Sequence, residues 1–396
     1  PFPRKSIEVC ELVSPLKPFE AMLSGKAIVS SDVKALEEFI DGKNGLLFKK
    51  GDINDLSIKL EELLVSVELR KSLSEYAKEW VLKNRLWSVV TKQYSQVLND
   101  IQKKSDYVEN ESVNSAKLNL LVYGDVDVNY TDGSSIWAVS TVDVLSRCQY
   151  SSVDFLLKAD NLNSLVLEQI NKINKDVKII QPSDFGLNGR LDPEAAIKLI
   201  CDLVQKYDYD GVVLRGAEVN KLALNYPELS GLIWTYPIEI FQKDWEEVTL
   251  ADKAILRDSA KILCQSDFIK HELVSEFKID DGKIIDLPPM VPDSEKEYGL
   301  AINTKTKRIV YAGKFDKLWA TEEMLEAFQL IRKRVKNVEL HVYGNKFNDS
   351  SEHKGFTKRI KELLGRKGVV WHKGVSREEV LADLPKYDLA WAWRSP

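Results

Sequence analysis

The chain is poor in the residues that build metal centres and covalent frameworks. Its 396 residues include four cysteines and four histidines. Cys10, Cys148, Cys201 and Cys264 are scattered, with none of the short paired spacings of a zinc site or disulfide framework, which points to a reduced compartment. His271, His341, His353 and His372 are equally dispersed, so each reads as a surface or half-buried side chain and not as a metal ligand. No apolar run approaches the roughly 18 residues of a membrane span, and no signal peptide is visible. The first residue is Pro1 and not methionine, which reads as a start other than the natural one.

What is present is the composition of a globular protein, 44% apolar and 30% charged. At this length two domains of roughly 150 to 200 residues are expected. The net charge of −5 conceals an asymmetry. Residues 303–396 carry 20 Lys/Arg against 12 Asp/Glu, residues 1–105 carry 17 against 15, and the stretch between is acidic by 15 charges. The basic end suits an anionic small ligand such as a diphosphate, and a solvated lysine-rich face would give the same count. The acidic middle argues against nucleic acid, which requires a broad basic track.

Strand and helix signals alternate almost throughout, the pattern of an α/β protein with parallel sheets. KAIVSSD (26–32) reads as a buried strand, KALEEFI as a helix, GKNG (42–45) as a turn and GLLF as a short strand. DINDLSIKLEELLVS (52–66) has an aspartate cap and helical apolar spacing. SDYVENESVNSAK (105–117) is polar and reads as a linker. A new module starts at LNLLVYGDV (118–126), and further strands are expected at VDFLLK, VKIIQP, DGVVLRG, GLIWTYP, AKILCQS and GKIIDLPP. PPMVPD (288–293) looks like a hinge. Beyond it KRIVYAGKF, VELHVYG, VVWHKGV and DLAWAWRSP are strands, and TEEMLEAFQLIRKRV is a helix whose Met324, Leu325, Phe328 and Ile331 share a core face.

The two ends complement each other. The chain stops at a strand and polar loop with no following helix, and starts at a loop and helix, PLKPFEAMLSG (15–25), with no preceding strand. The blocks PLKPFEAMLSGKAIVSSDV, EEFIDGKNGLLFKKGD and LRKSLSEYAKEWVLKNRLW resemble the C-terminal part of the donor-binding domain of retaining nucleotide-sugar glycosyltransferases of family 4. RIVYAGKF, VELHVYG, VVWHKGV and YDLAWAWRSP resemble the first half of that domain. LVYGDVDVNYTDGSSIWAVSTVDVL, YDGVVLRG, AKILCQSDFIKHEL and IIDLPPMVPD resemble the acceptor-binding domain.

The resemblance implies an α/β fold of the GT-B type, two Rossmann-like domains facing across a cleft. Residues 1–104 would supply the second half of the donor domain plus C-terminal helices, 105–117 a linker, 118–293 the acceptor domain and 303–396 the first half of the donor domain. The family runs acceptor domain first. The rotated order here fits a circular permutant, or a stretch of a tandem protein spanning the end of one module and most of the next.

Ligands of open α/β sheets sit beyond the carboxyl ends of the strands, where the implied site residues fall. Gly313 permits close backbone approach, and Lys314 is a cation for the diphosphate, with Lys317 substituting for a second family lysine whose position holds Trp319. Leu16 and Lys17 present amides and an ammonium at the start of the PLKPFEAM helix, where Pro18 suits the first turn. Glu20 matches the family glutamate that accepts from the ribose hydroxyls, and a first-turn glutamate is also favoured by the helix dipole. Gly344 and Gly374 border the base and ribose, and Arg394 and Arg215 end strands of the two domains. Arg215 stands where many relatives carry histidine; always protonated, it would stabilise developing charge and not act as a base. Gly133 and Ser134, in the DGSS loop with Asp132, lie near the sugar and diphosphate or simply cap a helix. Trp391 and Trp393 read as core.

The activity so implied is transfer of a sugar from a UDP- or GDP-sugar to a glycan or lipid-linked acceptor with retention, in bacterial polysaccharide biosynthesis. The nucleotide-sugar is a substrate, so neither a cofactor nor a bound metal is implied. Lys314 and Arg215 would carry the chemistry. The expected location is cytoplasmic, with peripheral association at the inner face of the membrane by family analogy. Two other readings stay open. Leu12 in the place of an earlier family glutamate, Lys34–Ala35 in the place of a glycine pair and Trp319 favour a non-catalytic module of a tandem protein. A nucleotide-sugar epimerase would share the architecture.

Overall fold

Alternating buried strands and helices predict parallel sheets, and every named strand pair among the described residues is parallel. The computed structural model describes residues 11, 14–106, 117–129, 133–162, 167, 176–238, 240, 248–291, 293, 306–313, 315–316, 321–344, 347–348, 355–373 and 377–391. The expected linker lies mostly outside them. The chain separates into two units, one built from both ends (residues 1–84 and 294–396) and one from residues 85–293.

The N-terminal part of the first unit runs through the helix Lys17–Leu23, β1 (Val29–Ser31), a short helix Lys34–Glu37, β2 (Leu46–Phe48) and the helices Ile53–Val65 and Val67–Asn84. Asp52 caps the third of these helices by accepting from the amides of Asn54 and Asp55, a device that typically contributes about 1 kcal/mol. Pro18 occupies the first turn of Lys17–Leu23, where its missing N–H costs nothing. Phe19 anchors that helix, its ring 4.6 Å from that of Phe39 and 6.1 Å from that of Trp80.

In the second unit the helix Trp87–Asp106 is followed by β3 (Leu118–Tyr123), helix Gly133–Arg147, β4 (Ser151–Leu156) and β5 (Lys178–Ile180). Then come helix Pro193–Lys206, β6 (Gly211–Arg215), helix Ala217–Ala223, β7 (Ile233–Tyr236), helix Leu250–Asp258, β8 (Lys261–Cys264), helix Asp267–Ser275 and β9 (Ile284–Asp286). The sheet order is β5-β4-β3-β6-β7-β8-β9, a doubly wound arrangement that reverses direction between β3 and β6. Both faces are covered: Leu120 and Val122 enter one apolar cluster, Leu121 and Tyr123 the other. The helix Trp87–Asp106 belongs to this unit because Trp87, Val90, Tyr94 and Leu98, one helical stripe, are buried in the first of those clusters. The PPMVPD segment pairs with the start of that helix, through a parallel bridge between Val291 and Leu86.

The C-terminal part of the first unit supplies β10 (Lys307–Ala312), β11 (Phe315–Asp316), helix Thr321–Arg334, β12 (Val338–Tyr343), β13 (Phe347–Asn348), helix Phe356–Leu364, β14 (Val369–Trp371), helix Arg377–Asp383 and β15 (Leu389–Trp391). Its four-stranded sheet is ordered β14-β12-β10-β15, and a parallel bridge from Leu389 to Ala27 continues it toward β1 and β2. The first four positions of this doubly wound order therefore come from one end of the chain and the last two from the other.

The join between the ends is buried and polar at its edge. Lys26, 1% exposed, donates from Nζ to the Tyr387 carbonyl at 3.0 Å. Arg70 approaches Asp388 at 3.7 Å, and Asp388 accepts from the Arg308 amide at 2.8 Å. Behind this edge lies one apolar core drawn from both ends: Val29, Leu56, Leu60 and Leu63 pack with Ile309, Leu325, Phe328, Leu389 and Trp391. Each such side chain contributes roughly 1.5–3 kcal/mol by leaving water, so neither end has a core without the other. Met324, Leu325, Phe328 and Ile331 lie in it, as the helical spacing predicts.

Candidate functional site

The carboxyl ends of β10, β12 and β14 are tied in series. The Gly313 amide donates to the Tyr343 carbonyl at 2.9 Å, and the Gly344 amide to the Lys373 carbonyl at 2.8 Å. Trp371 Nε1 donates to the Gly344 carbonyl at 2.8 Å. At Gly344 φ is +156°, and a Cβ there would lie 2.0 Å from the Gly313 carbonyl oxygen, so no other residue fits. Lys17 comes to this edge from the opposite end of the chain. Its Nζ donates to the Ala312 carbonyl at 3.1 Å and stands 3.5 Å from where a Gly313 Cβ would be. The Leu16 carbonyl accepts from the Phe19 and Glu20 amides, so the helical turn begins one residue ahead of Lys17. Glu20 follows Lys17 by three positions on the same helix and is half-buried. A cation and two glycine-opened strand ends thus gather at one rim, with a carboxylate three residues on in the helix that brings the cation, an arrangement suited to an anionic ligand.

A second constellation lies at the carboxyl ends of the other sheet. Arg215 ends β6 beside Tyr236, its register partner at the end of β7. Arg215 Nη2 donates to Ser134 Oγ at 3.0 Å, and its guanidinium carbon sits 5.5 Å from the centre of the Trp137 ring. Ser134 and Trp137 share a face of the helix Gly133–Arg147, three residues apart. Trp137 packs on Tyr236 at 4.6 Å, and Tyr236 Oη donates to Gln265 Oε1 at 3.1 Å. The guanidinium is held in place by a hydroxyl and an aromatic face, which suits it to meet negative charge without reorganising. At the same rim Lys158 pairs with Asp125, which also accepts from Tyr123 Oη at 3.1 Å. Gly216, at φ +112°, lets Asp125 approach so closely that a Cβ would stand 3.0 Å from the Asp125 Cβ.

Among the described residues no group of three His, Cys, Asp or Glu is placed to hold a metal ion, and no helix is long and apolar enough to cross a membrane. The segment that delivers Lys17 and Glu20 lies within a family match. Residues 13–80 match the family of glycosyl transferases group 1. Two uncharacterized glycosyltransferases of Methanocaldococcus jannaschii are similar to part of the chain. One is 45% identical over 62 residues, 15% of this chain and 18% of its own length. The other is 34% identical over 79 residues, 20% of each. The chain thus spans about a fifth of the length of these relatives. A solved glycosyltransferase from Rickettsia africae ESF-5 is 17% identical, with a TM-score of 0.43, over 70% of this chain and 73% of that one.

The glycosyltransferase-like segment, residues 13–80, holds Leu16, Lys17 and Glu20, and it packs against strands that the match does not reach. Of the residues singled out in the sequence, Lys17, Gly313 and Gly344 meet at one rim. Arg215, Gly133 and Ser134 meet at the other, with Gly133 opening the helix that carries Ser134. Lys314, Lys317, Gly374 and Arg394 lie outside the described residues, as do Leu12, Asp132, Trp319 and Trp393. Trp391 is 1% exposed and part of the core. Sequence reasoning passed over Trp137, Tyr236, Gln265 and the Asp125–Lys158 pair. Tyr236 closes a strand and Gln265 follows one, so the carboxyl-end rule applied to every strand would have found them.

Proposed function

We propose that this chain is a glycosyltransferase that moves a sugar from a UDP- or GDP-sugar to a glycan or lipid-linked acceptor with retention of configuration, in polysaccharide biosynthesis. The observation that carries the reading is the place of Lys17. The segment matching glycosyl transferases group 1 brings this ammonium to the rim formed by Ala312, Gly313 and Gly344. In this reading the unit built from both chain ends binds the donor and residues 85–293 bind the acceptor. The rotated order is then that of a circular permutant or of a piece of a tandem protein.

The chemistry assigned to these residues is electrostatic. The bond from the anomeric carbon to the diphosphate oxygen breaks, and Lys17, with Lys314, stabilises the charge that develops on the leaving group. The acceptor oxygen bonds the anomeric carbon on the face the diphosphate leaves, and the acceptor proton passes to a diphosphate oxygen. Glu20 accepts from the ribose hydroxyls, and Arg215 offsets negative charge from the acceptor side. A non-catalytic module is the second reading, favoured by Leu12, Lys34–Ala35 and Trp319 in positions where relatives carry glutamate, glycines and lysine.

Calorimetric titration of the full chain with UDP and with GDP, beside Glu20→Ala, tests the proposal. Binding of one nucleotide, weakened about tenfold or more in the variant, is expected. Equal binding by both proteins would remove Glu20 from the site, and binding of neither nucleotide would overturn the donor reading. Sugar release or transfer with an acceptor separates the enzyme from the module, and interconversion of donor sugars without acceptor would mark an epimerase.

A further inference from the structure

A polar network lines the face of the β10–β15 sheet opposite its aliphatic core. Along β12, Leu340 and Val342 enter the core, so Glu339, His341 and Tyr343 point to the other face. His372, one residue past β14, is woven into the end of the ladder. Its amide donates to the Val342 carbonyl at 2.9 Å, and the carbonyl of the next residue, Lys373, accepts from Gly344. Its ring stacks on Tyr343, with centroids 4.3 Å apart and planes 7° apart, and its Nε2 lies 2.9 Å from His341 Nδ1. His341 Nε2 faces Glu339 Oε2 at 3.3 Å.

The groups around this pair come from every neighbouring element. Arg308 on β10 lies 3.6 Å from Glu339. Tyr343 Oη donates to Asp383 at 2.7 Å, at the end of the helix Arg377–Asp383, and Lys386 in the following turn pairs with that carboxylate. Tyr387 Oη lies 2.6 Å from Tyr343 Oη and 3.5 Å from His341 Nδ1. Asp388 holds the Arg308 amide, Lys26 holds the Tyr387 carbonyl, and Lys373 adjoins His372.

A contact between two imidazole nitrogens needs one N–H and one lone pair. It survives with both rings neutral or with one extra proton, and fails when both are protonated, because two N–H groups and two positive charges then face each other. We infer that His341 and His372 form a proton-gated positioning pair for the nucleotide, holding the carboxyl ends of β12 and β14 until a second proton drives the rings apart. The inference rests on the donor reading above, because Gly344, tied to Lys373 beside this pair, borders the proposed nucleotide. Burial, with His372 and Arg308 acting in the same direction, pushes the His341 pKa down against the pull of Glu339, so the pair holds at neutral pH and fails in acid.

The test is nucleotide titration of the full chain between about pH 8 and pH 5, the range that spans ordinary histidine titration, for wild type, His372→Gln and His372→Ala. Glutamine keeps a neutral polar group where Nε2 was. The nucleotide phosphate titrates in the same range, so the readout is the ratio of wild-type to variant affinity at each pH, in which that effect cancels. His372→Gln is expected to recover most of the affinity that His372→Ala loses near neutrality. It should then overtake wild type by about tenfold at the acid end, the effect of one linked proton over one pH unit. Parallel curves for wild type and His372→Gln would overturn the gate and leave the donor reading standing. No binding of UDP or GDP even at the alkaline end would overturn both. Imidazole NMR of the nucleotide-free chain is independent of binding: the His341 ring is expected to titrate below the ordinary histidine range and to move back toward it in His372→Gln, and an unchanged His341 titration in that variant would overturn the pair.

Discussion

Lys17 and Ala312 lie 295 positions apart in the chain, and the ammonium of the first donates to the carbonyl of the second at 3.1 Å. This hydrogen bond places the cation of one chain end on the strand rim of the other. A nucleotide site at this rim exists only when both ends have assembled, which ties the proposed activity directly to the fold of that unit.

Replacing Lys17 by methionine keeps the stem and removes the charge. Nucleotide affinity is expected to fall about tenfold to a hundredfold, the worth of one charge-assisted contact. The unfolding midpoint should move little, since the helix stays anchored by Phe19 against Phe39 and Trp80. Calorimetry beside a urea melt separates the two effects, and a large loss of stability with unchanged affinity would make Lys17 a structural residue.

Gly344→Ala puts a methyl group 2.0 Å from the Gly313 carbonyl oxygen. The two strand ends must separate, at a cost of about 1–3 kcal/mol, and nucleotide binding should be lost with them. A variant with wild-type melting and binding would show that the strand ends move apart freely.

Lys26 titrates in a direction that can be checked. Burial pushes its ammonium down to about 8, against the opposing pull of Asp388. In the unfolded chain lysine titrates near 10.4, so the unfolded state binds more protons between these values and stability rises with pH across that range. The penalty, on the order of 3 kcal/mol, is fully present at neutral pH and gone once the unfolded lysine has also lost its proton. Urea midpoints of wild type and Lys26→Met, compared from about pH 7 to pH 10, should shift in favour of wild type as pH rises. A constant difference would mean that the ammonium is solvated.

Arg215→Lys keeps the charge but loses the planar fork that meets Ser134 and Trp137. Transfer is expected to slow by about a hundredfold or more, with nucleotide affinity preserved. A fall in affinity with an unchanged rate would instead place Arg215 in donor binding.

Much of the fold was legible because its signals are local. Asp52 before an apolar helical stripe is a cap wherever the segment packs, and Met324, Leu325, Phe328 and Ile331 must share a face at helical spacing. Lys17, Gly313 and Gly344 were singled out because the family resemblance implied them, and the two glycines fall where ligands meet strand carboxyl ends. Trp137 was not, because an aromatic on a helix has no distinctive spacing.

By itself the sequence determined the alternation of strands and helices, the caps and the glycines at the strand ends. Each depends on backbone geometry or burial within a few residues. Only the tertiary structure decided that Ala27 lies beside Leu389, that Lys17 reaches Ala312, and that two histidines read as dispersed share a contact of 2.9 Å. Those relationships arise from the order of strands in a sheet. That order is chosen by the burial of one core shared between chain ends, and no local spacing encodes it.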